Sequence, residues 1–141
     1  MSNKMREGFT LIELLVVLVI LGLLISIAAP SLFEQMSKAK RDTAALQIEN
    51  LGSSLDLYRL NIGGYPSQDE GLKAMVKAPA EAGSRWQGPY VKKEQSLTDP
   101  WGNLYIYTYP GKHNKKGYDL YSAGADGQEG GEGDNQDIAN W

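Results

Sequence analysis

Three sets of residues in this 141-residue chain carry side chains suited to ligation or proton transfer. The densest lies near the C-terminus, where Asp126, Glu129, Glu132, Asp134 and Asp137 fall within 12 residues of glycine-rich chain. Folded together, these carboxylates repel one another, and a hard cation with oxygen ligands such as Ca²⁺ would relieve the repulsion. The stretch has the length and the mid-loop glycine, Gly131, of an EF-hand. Gln128 and Gly130 stand at its carboxylate positions, however, and no helical pattern flanks it. The second set is a single residue, Glu13, inside an apolar run where a charge costs about 2.5–3.5 kcal/mol on insertion scales. Packed away from water, it needs a cation beside it. The third is His113, the only histidine, in a polar turn without the partners that general-base or zinc chemistry requires. With no phosphate-binding glycine loop either, the chain reads as a protein that is not an enzyme.

Hydrophobic pattern sets the framework around these residues. Phe9 to Ala29 is a 21-residue run interrupted only by Thr10, Glu13, Gly22 and Ser26. As a helix it spans about 30 Å, the thickness of a bilayer's hydrocarbon core. Before it stands a short leader carrying Lys4 and Arg6 against Glu7, which places the N-terminus in the cytoplasm by the positive-inside rule. Pro30 predicts a kink. Ala44, Ile48, Leu51, Leu55, Tyr58 and Ile62 then recur at spacings of three and four, one apolar stripe on an otherwise polar helix. Its opposite face carries Lys38, Lys40, Arg41, Asp42, Glu49 and Asp56, and Asn61 with Gly63-Gly64 supplies a stop. One helix from about Phe9 to Asn61 is expected, membrane-embedded in its first half and amphipathic in its second.

Ser67 to Glu70 reads as a capping box opening a short helix through Leu72, Met75 and Val76. Residues 80–100 read as an extended loop. Leu104–Tyr109 and Tyr118–Ser122 read as two strands joined by a polar turn. Trp86, Trp101 and the tyrosines are expected to build a small core. Residues 123–141 form a separate acidic, glycine-rich block without Lys or Arg. The formal charge is −3, and beyond Lys4, Arg6 and Glu7 the chain holds 12 basic and 16 acidic residues, a profile without the basic stripe that nucleic acid requires. No cysteine is present, so no disulfide closes the C-terminal loop.

The sequence Arg6-Glu7-Gly8-Phe9-Thr10-Leu11-Ile12-Glu13 resembles the class III signal of type IV pilins and pseudopilins. Tyr65-Pro66, Glu70-Gly71-Leu72, Asp99-Pro100-Trp101-Gly102, Asp126-Gly127 and Asp137-Ile138-Ala139-Asn140-Trp141 come after it in order. Together they make the chain similar to the major pseudopilins of type II secretion systems. The resemblance implies an α+β fold, a long N-terminal helix packed on a small antiparallel sheet with a C-terminal loop. It also implies three segments: a cleaved leader at 1–8, a transmembrane and polymerisation helix at 9–30, and a periplasmic globular domain at 31–141. A prepilin peptidase would cut between Gly8 and Phe9, and the new Phe9 amine would be methylated. Glu13 would pair with the Phe9 amine of a neighbouring subunit, and the span from Gly22 to Pro30 would extend on assembly. The product would be a helical homo-oligomeric filament working in the periplasm with minor pseudopilins and an inner-membrane assembly platform. A type IV pilus subunit is the alternative, disfavoured by the absence of cysteine.

The resemblance also implies one Ca²⁺ in the C-terminal loop, with Asp126 and Asp137 as its two carboxylates and Ala123 as a main-chain carbonyl donor. Gln136 stands where an acid often precedes the final Asp, and the loop is longer than usual. The rest of the shell stays open between Asp134, Glu132 and backbone oxygens.

Overall fold

A computed structural model describes residues 8–141. Helix α1 spans Leu11–Ile62. Thr10 caps its start, with the Glu13 N–H donating to Thr10 Oγ1 at 3.2 Å, which satisfies one of the free donors of the first turn. Gly63 ends it at φ 101°, its N–H on the Arg59 carbonyl at 2.8 Å, a left-handed cap that glycine adopts without strain. The helix runs without interruption through Gly22 and Pro30. The chain divides into two compact units, Met1–Met36 and Ser37–Trp141. In the first, side chains from Phe9 to Ala28 are exposed, and α1 is long and apolar enough there to cross a membrane.

In the second unit the stripe read from sequence is the buried face of the helix. Ala44, Ile48, Leu51, Leu55 and Tyr58 are buried, and Ile62 packs partly buried against the same core. Leu72, Ala74, Met75, Val91, Leu97, Tyr105, Tyr107 and Leu120 complete that core. Fully burying a side chain such as Leu55 or Leu120 contributes about 1.5–3 kcal/mol, so this stripe is what holds the domain on the helix. The capping box forms as expected. Ser67 N–H donates to Glu70 Oε2 at 2.7 Å and Glu70 N–H to Ser67 Oγ at 3.3 Å. It closes the turn just ahead of a 3₁₀ helix over Gly71–Met75, which stands where an α-helix was expected and whose own N-cap, Glu70, carries no side-chain cap. The stretch expected to be extended contains two further 3₁₀ turns, Gly83–Arg85 and Glu94–Leu97.

The sheet is antiparallel, with strands β1 (Ile106–Thr108), β2 (Asp119–Ser122) and β3 (Ile138–Ala139) in that order. Tyr107 faces Leu120 across the first pair, and Ser122 faces Ile138 across the second. Strand β3 was not readable as a strand, because two residues carry no periodicity. Its pairing is completed by a side chain: Asn140 Oδ1 accepts from Leu120 N–H at 2.9 Å, and the Asn140 N–H donates to the Leu120 carbonyl at 3.0 Å. Gln68 does the same for β1, accepting from Tyr109 N–H at 2.8 Å and donating to the Tyr107 carbonyl at 3.2 Å. Trp86 joins the core, its Nε1–H on the Ala74 carbonyl at 2.9 Å. Trp101 does not: its N–H closes a turn on Asp99 and leaves the ring partly exposed, outside the core cluster.

Candidate functional site

Two regions hold the residues singled out from sequence. At the first, Gly8, Phe9 and Thr10 precede α1 and Glu13 lies in its first turn. Phe9 is exposed, and so is the whole apolar surface beyond it. The chain thus presents a carboxylate one turn from the Gly8–Phe9 bond on a helix with no water-facing stripe, an arrangement that favours a cationic partner beside Glu13 once lipid or protein surrounds it.

The second region is the C-terminal loop, and its scaffold begins outside the acidic block. Asp99 is buried and accepts N–H groups from Trp101 at 3.0 Å and Asn103 at 2.9 Å through Oδ1. Its Oδ2 accepts from Ser122 Oγ–H at 2.5 Å. Asn103 Nδ2 then donates to the Gly124 carbonyl at 2.9 Å. Buried Ala123 is therefore pinned on both sides by the turn at 99–103. Gly124, at φ 67°, is needed where it stands, since a Cβ there would come within 2.7 Å of the Asp134 carbonyl oxygen. The loop closes through Ala125 N–H on that same carbonyl at 2.8 Å. Farther along, Tyr121 Oη–H donates to Glu129 Oε1 at 2.8 Å, and burial together with that acidic partner pushes the phenol up to about 12.

The sequence-predicted ligands are used differently from one another. Asp126 is exposed, and its Oδ1 accepts from Gln128 N–H at 3.1 Å. Asp137 Oδ2 accepts from Gly130 N–H at 2.9 Å, while its Oδ1 is buried and, among the described residues, has no hydrogen-bond partner. Among the described residues no group of three or more acidic, His or Cys side chains converges. Buried unpaired acceptors are rare and costly, so an orphaned carboxylate oxygen in an acidic loop fits a cation there. Asp134 contacts Ser37 Oγ and lies 3.6 Å from Arg41 Nη1, both on α1.

Sequence reasoning missed two carboxylates that organise this end of the molecule. Asp99 carried a turn signal in Asp-Pro-Trp-Gly, and only its depth was hidden. Asp119, on β2, carried no signal. It is buried and collects N–H groups from Lys112 at 2.7 Å, His113 at 2.9 Å and Asn114 at 2.8 Å. Burial by itself would raise its carboxyl pKa, but these backbone donors and the His113 ring outweigh it and hold the pKa below the ordinary value.

Comparison with known proteins agrees with this architecture. The family model described as type II secretion system (T2SS), protein G, matches residues 31–141. The prokaryotic N-terminal methylation motif matches residues 3–29. The type II secretion system core protein G of Vibrio cholerae is 45% identical over 99% of this chain and 95% of its own length. That of Pseudomonas aeruginosa is 42% identical over 100% of this chain and 99% of its own. The crystal structure of the major pseudopilin from the type 2 secretion system of enterohaemorrhagic Escherichia coli superposes with a TM-score of 0.62 and 33% identity. The match covers 79% of this chain and 95% of that one.

Proposed function

The chain belongs to the type II secretion system protein G family, and we propose that it works as the major structural subunit of a secretion pseudopilus, with a structural rather than a catalytic role. Copies assemble into a short helical filament in the periplasm that drives folded proteins through the outer membrane. The observation that carries this reading is the union of an N-terminal methylation motif and a protein G domain in one chain. The relatives are secretion proteins and the matching structure is a pseudopilin, which favours this reading over a pilus. The apolar helix and the motif fit anchoring in the inner membrane.

On this reading residues 1–8 are cytoplasmic and are removed by a prepilin peptidase, Phe9 is methylated, 9–30 cross the membrane, and 31–141 are periplasmic. Minor pseudopilins and an inner-membrane assembly platform are the further partners. Assembly moves Glu13 from lipid into packed helices, where an unpaired charge is costly, and the amine exposed at Phe9 of a neighbouring subunit supplies its counter-charge. Gly22 and Pro30, at about 1 and 3 kcal/mol in a helix interior, make the span between them the part that extends. Asp126, Asp137 and the Ala123 carbonyl are the proposed Ca²⁺ donors, and Asp134 is the remaining sequence candidate. Bound Ca²⁺ supplies the positive charge that closes an acidic loop lacking a disulfide. Glu13→Ala tests the assembly reading: the variant inserts into the inner membrane but yields no filaments and no secretion. Normal filaments from it would overturn the pairing.

A further inference from the structure

Asp134 differs from the other acids of the loop in what it faces. Ser37 and Arg41 are four residues apart on α1 and so share one face of the helix. Arg41 Nη1 donates to Ser37 Oγ at 2.8 Å, and the Ser37 hydroxyl in turn contacts Asp134 Oδ1, with Arg41 Nη1 itself 3.6 Å from that oxygen. The Asp134 side chain thus reaches 97 residues back along the sequence. Its own main-chain carbonyl meanwhile holds Ala125 N–H, immediately before Asp126. One residue therefore ties the helix to the segment carrying the proposed Ca²⁺ donors. Asp137, by contrast, leaves a buried oxygen unpaired.

We propose that Asp134 is a clamp on the helix and not a cation ligand: its carboxylate, held by Ser37 and Arg41, couples the loop to α1, so that Ca²⁺ in the loop and helical order around residues 37–41 stabilise each other. This coupling rests on the proposed calcium site. Two physical reasons support it. The hydroxyl and the guanidinium share one oxygen, Oδ1, and so fix the direction of the carboxylate toward α1 rather than into the loop, and an Arg41 charge that close would oppose an ion on the other oxygen. Coupling of this kind is reciprocal, so loop occupancy must register on the helix as much as the clamp registers on Ca²⁺ affinity.

The test uses the full-length chain in detergent: wild type, Asp134→Asn, Arg41→Met and the double variant. Each is titrated with CaCl₂ by thermal melting and followed by amide hydrogen exchange at residues 37–41 with CaCl₂ or chelator. In wild type, CaCl₂ slows exchange at those amides. Each single variant loses that slowing and raises the apparent dissociation constant about two- to fivefold, the range expected of a half-exposed ion pair. The double variant does no worse than either single one, and saturating CaCl₂ restores the full thermal shift in all of them. Loss of the shift at saturation in Asp134→Asn, with Arg41→Met unchanged from wild type, would make Asp134 a ligand and overturn the clamp. A wild-type chain indifferent to CaCl₂ would overturn the calcium reading and the coupling with it. The contact alone would then be read in chelator, where strictly additive losses in the double variant would overturn it too.

Discussion

The indole of Trp141 stacks on the imidazole of His113, with ring centroids 4.0 Å apart and planes within 6° of parallel. Ile138 packs against the core, while Trp141 stays half exposed and is held by this stack and by an edge contact with Tyr121. His113 Nδ1 lies 3.2 Å from Asp119 Oδ2, so the C-terminal residue rests on a ring that is itself fixed to the central strand. An aromatic pair contributes about 0.5–1.5 kcal/mol beyond its buried area. Trp141→Ala and His113→Ala should each lower the melting temperature by a few degrees, and the double variant by less than the sum. Additive losses in a melting cycle would show that the stack contributes nothing of its own.

Asp119 predicts an acid limb. Its carboxyl pKa is lower folded than unfolded. Its contribution is therefore fully present above the unfolded value, about 3.9, and is lost as pH falls through the depressed folded value. Asp119→Asn weakens several hydrogen bonds to a charged acceptor and should cost about 1.5–3 kcal/mol at pH 7. Unfolding curves at pH 7 and pH 3 should differ less for the variant than for wild type. An equal pH dependence in both would mean that the backbone cradle does not favour the ionised form.

Asp137 predicts a reversal of sign. A buried acceptor left unpaired costs about 1–3 kcal/mol. Asp137→Asn keeps a polar atom at that place but removes its uncompensated charge, so in chelator it should melt at or above wild type. With Ca²⁺ it should melt below, since binding only the folded form adds about 2.7 kcal/mol at 100 times the dissociation constant. Asp126→Asn should lose the same Ca²⁺ response. Fluorimetry in Ca²⁺, Mg²⁺ and chelator reads all three cases, and identical melting throughout would remove the calcium site.

Gly8 predicts a processing requirement. A peptidase that reaches the backbone just ahead of an apolar helix has little room for a side chain there. Gly8→Leu should accumulate at the unprocessed mass in membranes, and intact-mass measurement distinguishes the two forms. A shortened, methylated product from that variant would show the cut to lie elsewhere.

The features legible in the chain alone were local or periodic. The spacing of Ala44, Ile48, Leu51, Leu55, Tyr58 and Ile62 named the buried face of α1, because a helix repeats every 3.6 residues whatever it packs against. The Ser67–Glu70 capping box and the Gly63 stop were legible for the same reason, since each is completed within a turn of chain. The signal-like stretch around Gly8 and the acidic tail were visible as composition. Tertiary structure decided everything that depends on a partner distant in sequence. Whether Asp99 would be exposed or buried depended on Ser122, and the capture of Asp119 depended on the returning turn at 112–114. Two residues, Ile138 and Ala139, become a strand only because β2 offers its free edge. The tail's five carboxylates are alike in composition. Packing separates them, turning Asp134 toward a helix 97 residues away and leaving one oxygen of Asp137 buried without a partner. Periodicity records which face of an element is apolar, but a polar group's role is set by which donors the folded chain brings within about 3 Å of it.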